Sequence, residues 1–173
     1  MKRARCNFFA GLLGALVIAM TMTAIAQAQE SVTVLTGDDL TRVVPPGFYF
    51  EGLSAPTQMR NASAARFGAK RFVIAGLVDT SGYAADVRAK YEGFLITDSP
   101  IQINGTDLNV GAYGFGFSND GKMQVLDLAG NAIVSVATTK DTETKRPRPL
   151  SFAKDGNSIR FYNGRDYVTI SAK

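Results

Sequence analysis

The sequence predicts an all-β fold: an antiparallel meander of about eight to ten strands forming a small barrel or barrel-like sandwich, with one or two short helices. Three observations predict it. Residues 105–136 read as three strands joined by two tight turns, Asn119-Asp120-Gly121 and Ala129-Gly130-Asn131; Asp-Gly between alternating apolar residues is a strong hairpin signal. Short apolar runs recur along the chain with turn residues every 8–12 positions, the spacing of a sandwich or barrel. No shift of composition and no long repeat divides the chain.

The strand over 110–118 carries the strongest pattern. Tyr113, Phe115 and Phe117 alternate with Ala112, Gly114 and Gly116. Side chains alternate between faces of a strand, so the three rings share one face and the other is almost bare. Glycine inside a strand marks a bend, a bulge or a close approach by another group. A barrel corner or a ring lying over the glycines accounts for it; a ligand resting there is the functional alternative. The next two strands cover 123–128 and 132–137.

Earlier elements follow in order. Residues 31–35 alternate weakly as a short strand. Residues 37–44 suit one or two helical turns, with acids at the start and Pro45-Pro46 as a stop. An aromatic strand is predicted over 48–52, a long polar strand over 58–67, and a turn at Gly68-Ala69-Lys70. Residues 71–79 (RFVIAGLVD) read as a strand buried on both faces. Tyr83, Val87 and Tyr91 fall at helical spacing among alanines, which predicts a short helix over 83–89. Strands follow at 91–97 and 101–105. Residues 138–149 (TTKDTETKRPRP) read as a charged loop, because Pro-Arg-Pro does not fit a central strand. A hairpin over 150–154 and 158–162 turns at Asp155-Gly156-Asn157, and a last strand covers 167–170 after Asn163-Gly164. Phe72, Ile74, Leu77, Leu95, Phe115, Phe117, Leu126 and Val136 are predicted to share one core.

The N-terminus reads as an address. Lys2, Arg3 and Arg5 precede an uncharged apolar run over 8–26, and Ala26-Gln27-Ala28 places small residues where a signal peptidase reads. The expectation is a signal peptide over 1–28, with Gln29 first in the mature chain, a single β-domain over 29–173, and a periplasmic or secreted location. Cleavage after Ala26 and a retained membrane anchor are the alternatives. Cys6, the chain's one cysteine, lies in this segment, so a mature domain has no disulfide, thiol nucleophile or cysteine metal site. Removing three basic residues leaves 16 against 15 acidic ones. That balance gives no reason to expect nucleic acid as partner, or a membrane unless the segment stays uncleaved.

The chain has no histidine and no tryptophan. The usual general base and commonest metal ligand are therefore missing. No P-loop, GxGxxG, GxSxG or calcium loop occurs, and no metal or cofactor is expected. Most aspartates sit in turns, where local hydrogen bonding explains them. Glu51, Asp79, Glu92 and Asp127 lie in or beside strands; two of them facing one cavity would make an acid–base or nucleophile pair. Pairing with nearby arginines is the plain alternative.

The segments FLITD (94–98) and IQING (101–105), with Leu108 and Gly111-Ala112-Tyr113, resemble a strand–loop–strand pattern of uncharacterised secreted bacterial β-proteins. The resemblance implies a β-fold and export, and carries no site residues.

The functional expectation is a non-enzymatic binding or accessory module. Its ligand would be a small anionic or amphiphilic molecule, or its partner a protein. Tyr113, Gly114 and Gly116 would supply the space and rim, and Arg146 and Arg148 a basic lip, since arginine holds carboxylate or phosphate bidentately. A carboxylate- or tyrosine-based enzyme and a small outer-membrane barrel are the competing readings; most strands are short for the latter.

Overall fold

Turn glycines and alternating strands set the path of the chain in the computed structural model, which describes residues 31–173. Gly121, Gly130, Gly156 and Gly164 each adopt positive φ at the hairpin turns where the sequence places them, a conformation that costs glycine little. The strands are β1 (Val32–Val34), β2 (Gly47–Phe50), β3 (Leu53–Phe67), β4 (Arg71–Val78), β5 (Gly93–Thr97), β6 (Ile101–Ile103), β7 (Thr106–Leu108) and β8 (Gly111–Ser118). They continue with β9 (Lys122–Leu126), β10 (Ala132–Ala137), β11 (Thr139–Lys140), β12 (Arg148–Asp155), β13 (Ser158–Gly164) and β14 (Asp166–Ala172). Helix α1 covers Gly37–Val43 and α2 covers Ala85–Arg88, preceded by a 3-10 turn at Thr80–Gly82.

All pairings are antiparallel. The first sheet runs β1-β3-β4-β5-β8-β9-β10, and the second runs β12-β13-β14-β6-β7 with β11 on the other end of β14. The sheets face each other across a core that includes Phe67, Leu95, Ile101, Phe115, Phe161 and Ile170. Side chains join the sheets where their edges meet. The Phe152 amide donates to Ser63 Oγ (3.3 Å) on one side, and Asn104 Nδ2 donates to the Ala137 carbonyl (2.8 Å) on the other. Among the described residues no closed barrel forms, so the architecture is a barrel-like sandwich.

A second core lies on the outer face of the first sheet. β3 is long because it serves two partners: Leu53–Pro56 pair with β2, while its C-terminal half pairs with β1 and β4. An irregularity between Thr57 and Ala62 breaks its register with β4. Such a break bends a strand, and the β2–β3 hairpin lies over the sheet's outer face. Phe48 stacks on Phe94 with centroids 5.1 Å apart, and Phe50 stacks on Tyr91 at 3.9 Å. Val44, Val78, Tyr83, Val87 and Leu126 complete the layer.

This layer corrects the single-core expectation. Leu95, Phe115 and Val136 lie in the sandwich core, with Leu77 and Phe117 packed against it. Leu126 belongs to the outer core and Ile74 packs against that core, while Phe72 is only half-buried. Strands apolar on both faces need two cores, one per face. The short helix predicted over 83–89 narrows to Ala85–Arg88, and the charged loop over 138–149 contains β11 and the first residues of β12. The predicted signal segment lies outside the described residues.

Candidate functional site

Each of the four strand-associated carboxylates has its own partners. Glu51 sits in the β2–β3 turn at φ 43° and pairs with Lys90 Nζ at 3.1 Å. The same ammonium donates to the Gly130 carbonyl at 3.0 Å, pinning the β9–β10 turn against the β2–β3 turn. Asp127 folds back on its own turn, accepting from the amides of Ala129 and Asn131, each at 2.9 Å. The Asn131 side-chain amide and backbone amide hold its carboxyl below the ordinary range. Asp79 accepts the Ser81 amide at 3.0 Å and caps the 3-10 turn, which likewise lowers it.

Glu92 is the exception in its environment. Burial raises its carboxyl above the ordinary value, against the opposing pull of the Phe117 amide (3.2 Å) and Asn163 Nδ2 (2.6 Å). It bridges the first sheet to β13. Two donors already occupy one of its oxygens, and no second carboxylate shares its hydrogen bonds, so it has the surroundings of a cross-sheet tie. Among the described residues no group of three or more His, Cys, Asp or Glu side chains could hold a metal ion.

The bare glycine face of β8 is filled. A Cβ on Gly114 would meet Phe50 Cε2 at 2.5 Å, and one on Gly116 would run into the Lys90 carbonyl oxygen. The glycines admit the outer layer to the sheet and leave no room for a ligand at their own positions. Of the two readings of this face, the ring lying over the glycines is the one seen at Gly114, and the ligand alternative has no space at these two positions. Tyr113 faces the other way, packing against the sandwich core, and its hydroxyl reaches the carbonyls of Asn109 (3.0 Å) and Val110 (3.3 Å).

Arg146 and Arg148 lie elsewhere. On β12 Leu150 and Phe152 point into the sandwich core, so Ser151 and Ala153 point out. On the partner strand Phe161 is inside and Tyr162 outside, paired with Ser151. The loop before β12 passes beside this outer surface, and the result is a concavity of about 220 Å³ lined by Thr144, Arg146, Arg148, Ser151, Tyr162 and Gly164, with Ala153. The predicted lip therefore stands on the outer face of the second sheet, while the predicted cavity stood on the outer face of the first. The fold does not bring the two halves together.

Asp141 builds the loop wall. Its oxygens accept from the amides of Glu143 (2.9 Å) and Thr144 (3.2 Å), from Thr144 Oγ1 (2.9 Å) and from the Tyr162 hydroxyl (3.0 Å). These bonds, Thr144's hydroxyl first, hold its carboxyl below the ordinary range. They also fix the loop to β13. Arg148 donates to the Arg60 carbonyl at 3.3 Å, while Arg146 is exposed and has no partner among the described residues. Behind them, Tyr162 packs on Tyr167 (centroids 5.1 Å apart), over which the Arg160 guanidinium lies at 5.0 Å. Two guanidinium groups and three hydroxyl-bearing side chains thus line one small concavity. The Thr144 and Tyr162 hydroxyls already donate to Asp141, so the two guanidinium groups are what suits a compact anion, and the lining contains no nucleophile–base pair.

Thr144, Ser151 and Tyr162 were not singled out from sequence. Alternation opposite Leu150, Phe152 and Phe161 was the available signal, but joining them to the loop requires the β12–β13 register. The chain matches no family model, curated protein or solved structure.

Proposed function

We propose that this protein is an exported, non-enzymatic module that binds a small anion, such as phosphate, sulfate or an acidic sugar, in the Arg146–Arg148 concavity. The carrying observation is the unpaired Arg146 beside the oriented Arg148, on a loop tied down by Asp141. Arginine's planar fork matches two oxygens of such an anion. The space is about 220 Å³, below the roughly 300–1,000 Å³ usual for drug-sized ligands, so a compact anion is the fitting size. The separate partners of Glu51, Asp79, Glu92 and Asp127 count against the carboxylate-enzyme reading, and the two open sheets count against a closed outer-membrane barrel. Export rests on the basic–apolar–small pattern of residues 1–28.

A thermal-shift screen tests the binding. A ligand at about 100 times its Kd stabilises by roughly 2.7 kcal/mol, several degrees in Tm for a domain of this size. Phosphate, sulfate or glucuronate should raise the parent's Tm, and Arg146→Ala/Arg148→Ala should abolish the rise. An equal shift in the double variant would overturn the site, and no shift with any anion would overturn the reading.

A further inference from the structure

A second groove, on the other sheet, has different chemistry. Thr33, Arg66 and Phe72 stand side by side across β1, β3 and β4, paired Thr33 with Arg66 and Arg66 with Phe72. Their neighbours Val32, Phe67 and Val73 belong to the sandwich core, so this row faces outward. Helix α1 lies beside it and contributes Arg42 and Val43. The groove encloses about 310 Å³, and Leu35, Val43 and Phe72 give it apolar walls. That volume falls at the lower end of the range for small-molecule sites.

Its polar groups are unevenly satisfied. Arg66 Nε is buried with no hydrogen-bond partner, and Arg66 has no ion-pair partner among the described residues. A buried unpaired donor costs free energy that an incoming acceptor would recover. Arg42 reaches Asp39 only at 3.8 Å, with both side chains about three-quarters exposed (76 % and 74 %), a geometry worth little in water. The charged lining is thus two guanidinium groups against one carboxylate, which matches a monoanion and disfavours a phosphate dianion.

We infer that this groove binds a small carboxylate with an apolar body, its head on Arg66 and Arg42 and its tail against Leu35, Val43 and Phe72. Guanidinium and carboxylate pair fork to fork, and the apolar walls receive the tail. A free acid and the terminal carboxylate of a peptide share this chemistry. The site is independent of the Arg146–Arg148 concavity in position and in ligand.

The test is calorimetry and amide chemical-shift mapping of the purified protein with hexanoate, acetyl-leucine and inorganic phosphate. Hexanoate or acetyl-leucine should bind saturably, shifting the amides of residues 33–36, 42–43, 66 and 72, and phosphate should not compete. The tighter of the two carboxylates tells a free acid from a chain end. Arg66→Gln should weaken binding at least tenfold and Arg42→Ala severalfold, while Arg146→Ala/Arg148→Ala should bind as the parent does. Unchanged affinity in a folded Arg66→Gln overturns the inference. If that variant does not fold, the parent's shift map decides: shifts outside this row, or no saturation, overturn it as well.

Discussion

Replacing Gly114 by alanine tests how the outer layer sits on the sheet. The added methyl would stand 2.5 Å from Phe50 Cε2, 3.0 Å from Cδ2 and 3.1 Å from Cζ. Carbon atoms prefer about 3.5–4.0 Å, so the ring or the strand must move by roughly 1 Å. The ring has little freedom: Phe50 is fully buried, stacked on Tyr91 at 3.9 Å and edge-on to Tyr83 at 6.3 Å. Overpacking of this kind costs about 1–3 kcal/mol. Against it stands the gain of about 0.4–1 kcal/mol from restricting the unfolded chain. A net loss of about 1–2 kcal/mol is expected in urea unfolding, read as a lower midpoint at unchanged slope. Phe50→Leu shortens the side chain, so the double variant should lose less than the sum of the singles by about 1 kcal/mol, a coupling within the range for residues in contact. A Gly114→Ala protein within about 0.5 kcal/mol of the parent, or additivity in the double variant, would refute the placement of Phe50 over the glycine.

Three further outcomes follow from the packing and charge. Phe115→Ala removes a fully buried ring that meets Phe161 edge-on at 5.0 Å and should cost about 3–5 kcal/mol in the same assay. The Tyr91 hydroxyl is buried without a hydrogen-bond partner, so Tyr91→Phe should leave stability unchanged or raise it by about 1 kcal/mol; a loss above that amount would reveal a bond to the neighbouring Tyr83. Burial raises the Glu92 carboxyl in the folded state above its ordinary value, so the folded protein holds that proton more tightly than the unfolded chain. Its contribution is therefore most favourable below about pH 4.5 and is lost as pH rises through the folded pKa. Glu92→Gln should accordingly gain relative to the parent as the pH of the denaturation series increases, and a pH-independent difference would contradict the burial. Asp79, Asp127 and Asp141, whose carboxyls are lowered, act with the opposite sign and lose their contribution as pH falls.

The strand order was legible where two-residue alternation coincided with glycine turns. The ring face of β8, the Asn119–Gly121 turn and the hairpin around Gly156 emerge as the sequence suggests. The second core was legible only in part: residues 71–79 read as buried on both faces, but such runs carry no period that says what covers the outer one. Nothing local in Phe48 and Phe50 says that they cross to Phe94 and Tyr91; that depends on the break in β3 near residues 57–62. The glycines of β8 did signal close approach, and the approaching groups are the Phe50 ring and the Lys90 backbone. For the candidate site, the charge density of the 138–149 loop marked Arg146 and Arg148. Asp141 resembled any turn aspartate, and its role as the anchor to Tyr162 arises only when β13 is placed beside the loop.

Amide chemical-shift mapping during a phosphate titration examines the proposed function most directly. Saturable shifts confined to Thr144, Arg146, Arg148, Ser151, Tyr162, Gly164 and their immediate neighbours are the result expected. Shifts centred on Gly114 and Gly116, or a linear drift without saturation for phosphate, sulfate and glucuronate alike, would contradict it.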